Sequence, residues 1–147
     1  MSIEETLITM KNSLLKSISE LPIEKRFSVE IAKTTDYKNL NVNGTLFLVY
    51  RGESYGKNIF NNKNIITLPR NIIVTALGVF KSSCTETVLF YIDFVINSLS
   101  GLKLIESQEN ECIIPISAEQ LDDDNIYNRN FAITFNVPVK FKVIGDK

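Results

Sequence analysis

The chain has 147 residues, of which 44% are hydrophobic and 22% charged, a composition typical of a single globular domain, here residues 1–147, with a sizeable core. Its net charge of −1 argues against nucleic-acid binding by the whole surface. It contains no histidine, which excludes serine–histidine and cysteine–histidine nucleophile pairs and removes the commonest metal ligand. The apolar runs are too short to span a bilayer, and residues 1–20 do not resemble a signal peptide.

The N-terminal segment is predicted to be an amphipathic helix. Ser2 and Glu5 have the spacing of a capping box. Pro22 ends the helix, because proline disfavours helical backbone at the residue before it. The apolar residues that recur at helical spacing are Ile3, Leu7, Met10, Leu14 and Ile18.

Two strands are predicted next. Residues 27–32 alternate apolar and polar side chains, and residues 45–50 form an apolar run of strand length. Asn43-Gly44 is typical of a turn. After Tyr50 the pattern predicts a charged turn flanked by glycines. Residues 52–71 are then predicted to form a long polar loop, which could contain a short strand around Ile65–Leu68.

The central part of the chain predicts a strand followed by a second helix. Residues 72–80 are almost continuously apolar, which predicts a central strand covered on both faces, and Gly78 indicates a bulge or close packing. Ser83 and Glu86 repeat the capping-box spacing before an amphipathic helix that ends at Leu99, and Gly101 occupies a typical C′ position.

The C-terminal part predicts two further strands. Residues 112–116 form a short one, and residues 118–124 are expected to be an acidic connection that contains a short helical turn. Residues 131–143 alternate without interruption and predict a long strand, in which Pro138 marks a bulge or an edge. Because strands occur in runs between two helices, we predict an α+β fold: a largely antiparallel sheet with two main helices packed on one face.

Candidate chemistry is sparse in this sequence. Cys84 and Cys112 are predicted to be unpaired structural thiols of a reducing compartment. An acidic cluster offers oxygen ligands but lacks the alternating ligands and glycine of a calcium loop, so a solvated or partner-facing loop is favoured over a metal site. Its members are Glu119, Asp122, Asp123 and Asp124. The expectation is therefore a protein without catalytic residues, metal or cofactor.

Arg51 and Glu53 follow the second predicted strand, where functional sites are often built. A local salt bridge or an intersubunit contact is favoured over a catalytic pair, because no nucleophile or second base lies nearby in sequence. Reversing either charge is predicted to weaken assembly and leave the fold intact. In the following loop, Tyr55, Lys57 and Phe60 are candidate interface residues, since exposed aromatic side chains often anchor protein contacts. Packing of Tyr55 and Phe60 back onto the domain is an equally favoured alternative.

The order of these segments resembles the tail-terminator (tail-completion) proteins of contractile phage tails, of the Mu-like prophage type, and of phage-tail-like bacteriocins. The resemblance extends over essentially the whole chain, from the helix SIEETLITMKNSLLKSI through LFLVYRGESYG and IIVTALGVF to the strand YNRNFAITFNVPVKF. Five positions match the family's strand end, namely Val49, Tyr50, Arg51, Gly52 and Tyr55. Leu99 and Gly101 match its helix end, whereas the family's tryptophan near the final strand is absent.

The resemblance implies a structural role in a virion tail or tail-like particle assembled in the bacterial cytoplasm. Such proteins form a ring, usually a hexamer, on the head-proximal end of the tail tube. The ring ends tube and sheath polymerisation and offers a docking face to the neck. The implied partners are other copies of the chain, tube and sheath proteins, and neck or connector proteins, with no membrane and no sequence-specific nucleic acid. A different head–tail connector or neck protein and a small α+β ligand-binding protein remain as alternatives.

Overall fold

The computed structural model describes residues 2–32, 43–55, 59–60, 65–81, 83–104, 111–121 and 128–144. These residues form a six-stranded sheet and two α-helices, which confirms the predicted α+β fold. In chain order the elements are α1 Ile3–Ile18, β1 Ser28–Ile31, β2 Gly44–Tyr55, β3 Ile59–Phe60, β4 Ile65–Lys81, α2 Val88–Leu99, β5 Ile114–Leu121 and β6 Asn128–Ile144, with a 3₁₀ turn at Ile23–Lys25 between α1 and β1.

The sheet has the strand order β1-β2-β4-β6-β5, and the short β3 pairs with β4. All pairs are antiparallel except β1 with β2, which are parallel. Both helices pack against one face of this sheet, α1 over β1 and β2 and α2 over β6 and β5. The core lies between the helices and that face, which we call the helix face.

The helix boundaries follow side-chain capping. Ser2 caps α1, because its Oγ accepts a hydrogen bond from the Glu5 amide at 3.0 Å, as predicted. The predicted cap of α2 at Ser83 is wrong: the helix begins at Val88, and the Thr87 hydroxyl accepts from the Phe90 amide at 3.2 Å. Both residues fit the capping preference, and the nearer one is used. Gly101 follows α2 with φ of 82°, which confirms the predicted C′ glycine.

The long strand β6 confirms the period-two prediction. Its alternate residues Phe131, Ile133, Phe135 and Val137 are fully buried on the helix face. The pairing of β5 with β6 ends at Asn136, so Pro138 lies on a part of β6 that has no β5 neighbour, in agreement with the predicted edge. Gly78 is a site of close packing, because a Cβ there would overlap the ring of Phe131.

Two segments that the sequence predicts to be loops contain strands in the structure. The predictions of a charged turn after Tyr50 and of a polar loop over residues 52–71 are wrong for the described residues of these segments. In the structure β2 continues to Tyr55 and β4 already begins at Ile65. The predicted short strand around Ile65 is thus the first part of β4. The helical turn predicted within residues 118–124 is also wrong for residues 118–121, which belong to β5. In each case pairing with a long neighbouring strand overrides local composition.

Asn43 connects the start of β2 to the segments that precede β1 and α2. Its side chain is buried, and Nδ2 donates to the carbonyls of Glu24 at 2.8 Å and Arg26 at 2.7 Å. Its Oδ1 accepts from the amide of Thr85 at 2.9 Å. One side chain thereby connects the 3₁₀ turn, the start of β2 and the segment before α2. Buried polar groups are stable only when paired in this way.

Candidate functional site

The far end of β2 and the adjoining part of β4 carry a cluster of charged and aromatic side chains. Glu53 and Arg70 form a two-point ion pair: Arg70 Nε donates to one carboxylate oxygen, and its Nη2 donates to the other at 2.9 Å. Tyr50 donates its hydroxyl to Glu53 at 2.6 Å, and Tyr55 bonds to the same carboxylate. We call these four residues the tyrosine–carboxylate cluster.

The cross-strand register brings the cluster together. Tyr55 lies opposite Arg70 and Glu53 opposite Ile72, so their side chains share the helix face of the sheet. The Glu53 side chain is only 8% exposed, whereas Tyr55 is 58% exposed. The carboxylate is therefore enclosed by its own donors, while the aromatic rings form the solvent-facing surface of this end.

Hydrogen bonding sets the ionisation of the cluster. The bonds from Arg70 are the main cause that lowers the pKa of Glu53 from 4.5 to about 2, with further contributions from the two tyrosine hydroxyls. The same bonds raise the pKa of Tyr50, Tyr55 and Arg70, because each donates a hydrogen bond to the ionised carboxylate and keeps its own proton more tightly. Glu53 thus stays ionised at any ordinary pH, which suits a permanent structural charge better than a general base.

Arg51 and Glu53 do not pair with each other. The register of β2 against β4 shifts between Tyr50 and Gly52, so Arg51 is the extra residue of a β-bulge. Gly52 has φ of 125°, a conformation that favours glycine. Arg51 lies on the sheet face opposite the cluster, where it is exposed, and the bulge brings Glu53 to the helix face beside Tyr50. The two charges therefore have separate roles, and we correct the prediction that reversing Glu53 would leave the fold intact.

The second face of the sheet, which we call the open face, holds an apolar groove of about 340 Å³. Its floor consists of alternate residues of the central strands and their neighbours, namely Val49, Ile73, Thr75, Leu77, Leu121, Ala132 and Thr134. Arg51 lies at one rim and Glu119 at the other. Both helices lie on the helix face, so neither supplies the second cover predicted for β4, although Thr45 and Phe47, which lie opposite Val79 and Leu77, are buried on the open face.

The other predicted interface residues are placed less completely. Phe60 lies in β3, opposite Ile66 of β4. Lys57 and the acidic residues Asp122, Asp123 and Asp124 fall outside the described residues. Arg70, Tyr50 and Asn43 were not predicted as functional or bridging residues, because their partners lie on other strands or segments. The apolar outward positions of β4 were the available signal for the open face.

A second groove, of about 400 Å³, lies at the N-terminal end of α2. Cys84, Thr87, Leu89, Gln120 and Arg129 are among its lining residues. Burial raises the pKa of the Cys84 thiol, so the thiolate form that a nucleophile needs is disfavoured. Cys84 and Cys112 are both free thiols.

Among the described residues no group of three or more histidine, cysteine, aspartate or glutamate side chains could hold a metal ion. Neither of the helices in the described chain has the length and apolarity needed to cross a membrane.

No protein-family model matches the chain, and no curated protein sequence matches it significantly.

Proposed function

We propose that this chain is a structural subunit that assembles into a ring on the head-proximal end of a contractile tail tube. There the ring ends tube and sheath polymerisation and provides a docking face for the neck. The mechanism is surface complementarity without bond chemistry, and a ring closes when each subunit presents two different, mutually complementary faces.

The observation that carries this proposal is the open face of the sheet. A central strand whose outward positions include Ile73 and Leu77 has the composition of a strand buried on both sides. Both helices of the described residues lie on the other side. An apolar face with charged rims, left uncovered by the helices, is the kind of surface that subunit assembly buries.

The positions that resemble the tail-terminator family add support. Tyr50, Gly52 and Tyr55 lie together in β2, where Gly52 forms the bulge and both tyrosines contribute to the tyrosine–carboxylate cluster. The cluster fixes this end of β2 against β4, and it presents aromatic surface to a partner. Ordered aromatic side chains lose little conformational entropy on binding, which favours them at interfaces.

A two-step experiment tests the proposal. Light scattering coupled to size-exclusion chromatography would give the mass of the assembly, and we expect a closed ring. Adding the protein to polymerising tail-tube subunits should then stop tube growth and leave rings at one tube end in electron micrographs. Rings that bind the neck or connector and leave tube lengths unchanged would favour the neck-protein alternative. A persistent monomer with affinity for a small molecule would overturn both structural assignments.

A further inference from the structure

The exposed surface of α1 carries an unusual combination of side chains. Ile8 and Leu15 are 42% and 40% exposed and lie two turns apart on the same side of the helix. Glu4 and Glu5 are exposed in its first turn, and Lys16 is exposed in its last turn. The outer side of α1 therefore carries two apolar side chains between an acidic N-terminal end and a basic C-terminal end, with the exposed Asn12 and the half-buried Lys11 between those two apolar residues.

The open face has the inverse arrangement. Its groove has an apolar floor between Arg51 on β2 and Glu119 on β5. The apolar part of α1 would meet the floor, its acidic end would meet Arg51, and its basic end would meet Glu119. Only one direction of the helix matches these charges, because the reverse direction places like charges together.

The dimensions of the two surfaces also agree. Arg51 lies level with Ile73 and Val74 of β4, while Glu119 lies level with Leu77 through Ala132. Arg51 and Glu119 are three strand spacings apart across the sheet and are also shifted along the strands by the distance from Ile73 and Val74 to Leu77. Together these two displacements separate the two rims by about 19 Å. The first-turn glutamates and Lys16 are separated by about 17 Å along the helix axis. One helix therefore spans the groove diagonally with both ends near an opposite charge.

We propose that α1 of a second copy of this chain lies across the open face, with its acidic end at Arg51 and Lys16 at Glu119. Its own α1 cannot occupy this position, because it is packed on the helix face by Leu7, Met10 and Leu14. The contact is heterologous, so each subunit offers one helix and one groove and the chain closes into a ring or extends as a filament. This inference rests on the self-assembly part of the proposed function and is independent of what the ring binds.

Charge exchange tests the contact, with molar mass by light scattering as the readout. R51E should weaken self-association about tenfold or more, because the acidic end of α1 then meets a like charge. Adding E4R and E5R to R51E should restore the wild-type assembly, and the E4R and E5R variant alone should be as defective as R51E. Circular dichroism melts of each variant would check that α1 remains folded, since the first-turn glutamates also favour the helix dipole.

Apolar substitutions provide a second, independent test. I8S and L15S should also dissociate the assembly. I23S is the matched control, because Ile23 is 79% exposed but lies outside α1, and it should assemble as the wild type does. L89S on α2 is a further control, since Leu89 is exposed on the other helix.

The outcomes separate this inference from the proposed function. An assembly that R51E and L15S leave intact, or that L89S dissociates, would overturn the α1-to-groove contact while leaving a tube-capping ring possible. A wild-type monomer at high protein concentration would overturn the contact and the ring together. Correct assembly that fails to stop tube growth would support the contact and contradict the proposed function.

Discussion

The two faces of the sheet are built from alternate residues of the same strands, yet only one of them packs against the helices. On the helix face, Leu48, Val74 and Phe135 are fully buried beneath α1 and α2. On the open face, Val49, Thr75 and Thr134 line a groove that neither helix covers. Because β4 is apolar on both sides, its composition indicates two covering layers, whereas both helices of the described residues lie on one side. The difference separates what the chain needs to fold from what we propose it needs to assemble.

The largest expected effect lies on the helix face. L48A should lower the free energy of unfolding by about 2–5 kcal/mol, because it leaves a cavity in a closely packed core. L77A, the matched change on the open face, should cost only about 1 kcal/mol in the monomer, since its side chain is already partly exposed. Urea unfolding of the two variants measures this contrast. Equal losses would show that the open face is as important as the core for folding.

The junction between the layers should be nearly as sensitive. N43A removes the donors to the carbonyls of Glu24 and Arg26 and the acceptor of the Thr85 amide. Leaving such groups unpaired should cost about 2–3 kcal/mol of unfolding free energy. T85V keeps the amide bond and loses only the hydroxyl contacts, so it should cost less. A neutral N43A variant would contradict the bridging role of this side chain.

The tyrosine–carboxylate cluster should give stability a specific pH dependence. The pKa of Glu53 is lowered from 4.5 to about 2 in the folded chain, so its stabilising contribution is complete above the unfolded value of 4.5. It is lost as the pH falls from about 4.5 to 2, where the folded carboxylate takes up its proton. The difference in unfolding free energy between wild type and E53Q should therefore shrink over this range. A difference that does not change with pH would show that Glu53 has no lowered pKa.

The smallest expected effect on folding is at Arg51. This side chain is exposed at the bulge, so R51E should change the unfolding free energy of the monomer by less than about 0.5 kcal/mol. E53K should destabilise the same strand by far more, because Glu53 is enclosed by Arg70 and two tyrosines. Parallel thermal melts of R51E and E53K would compare them. Similar melting temperatures would argue against separate roles for the two charges.

Local sequence patterns predicted the parts of the fold that depend on neighbours in the chain. The capping of α1 by Ser2, the C′ glycine after α2 and the alternation of β6 all follow from short-range rules. The extension of β2 was missed because it depends on pairing with β4. Arg70, which stabilises Glu53, is 17 positions away in sequence, so the residues around Glu53 in β2 do not indicate which side chain pairs with it.

The candidate site was only partly predictable for the same reason. Arg51, Glu53 and Tyr55 were singled out by their position after an apolar run, but the bulge at Gly52 that separates them depends on the β4 register. Composition does not specify which strand is covered by which helix. The groove on the open face could therefore be recognised only from the strand order, which places Arg51 and Glu119 on opposite sides of β4 and β6.

The central claim is that α1 of one copy covers the open face of another. Zero-length cross-linking tests this claim most directly. A carbodiimide joins a lysine to a carboxylate only when they are in contact. In an assembly mixed from ¹⁴N- and ¹⁵N-labelled chains, we predict a Lys16–Glu119 cross-link between copies. The Lys25–Glu86 pair within one chain, at 2.9 Å, is the internal control. Formation of the Lys25–Glu86 product without any intermolecular Lys16–Glu119 product would contradict the claim.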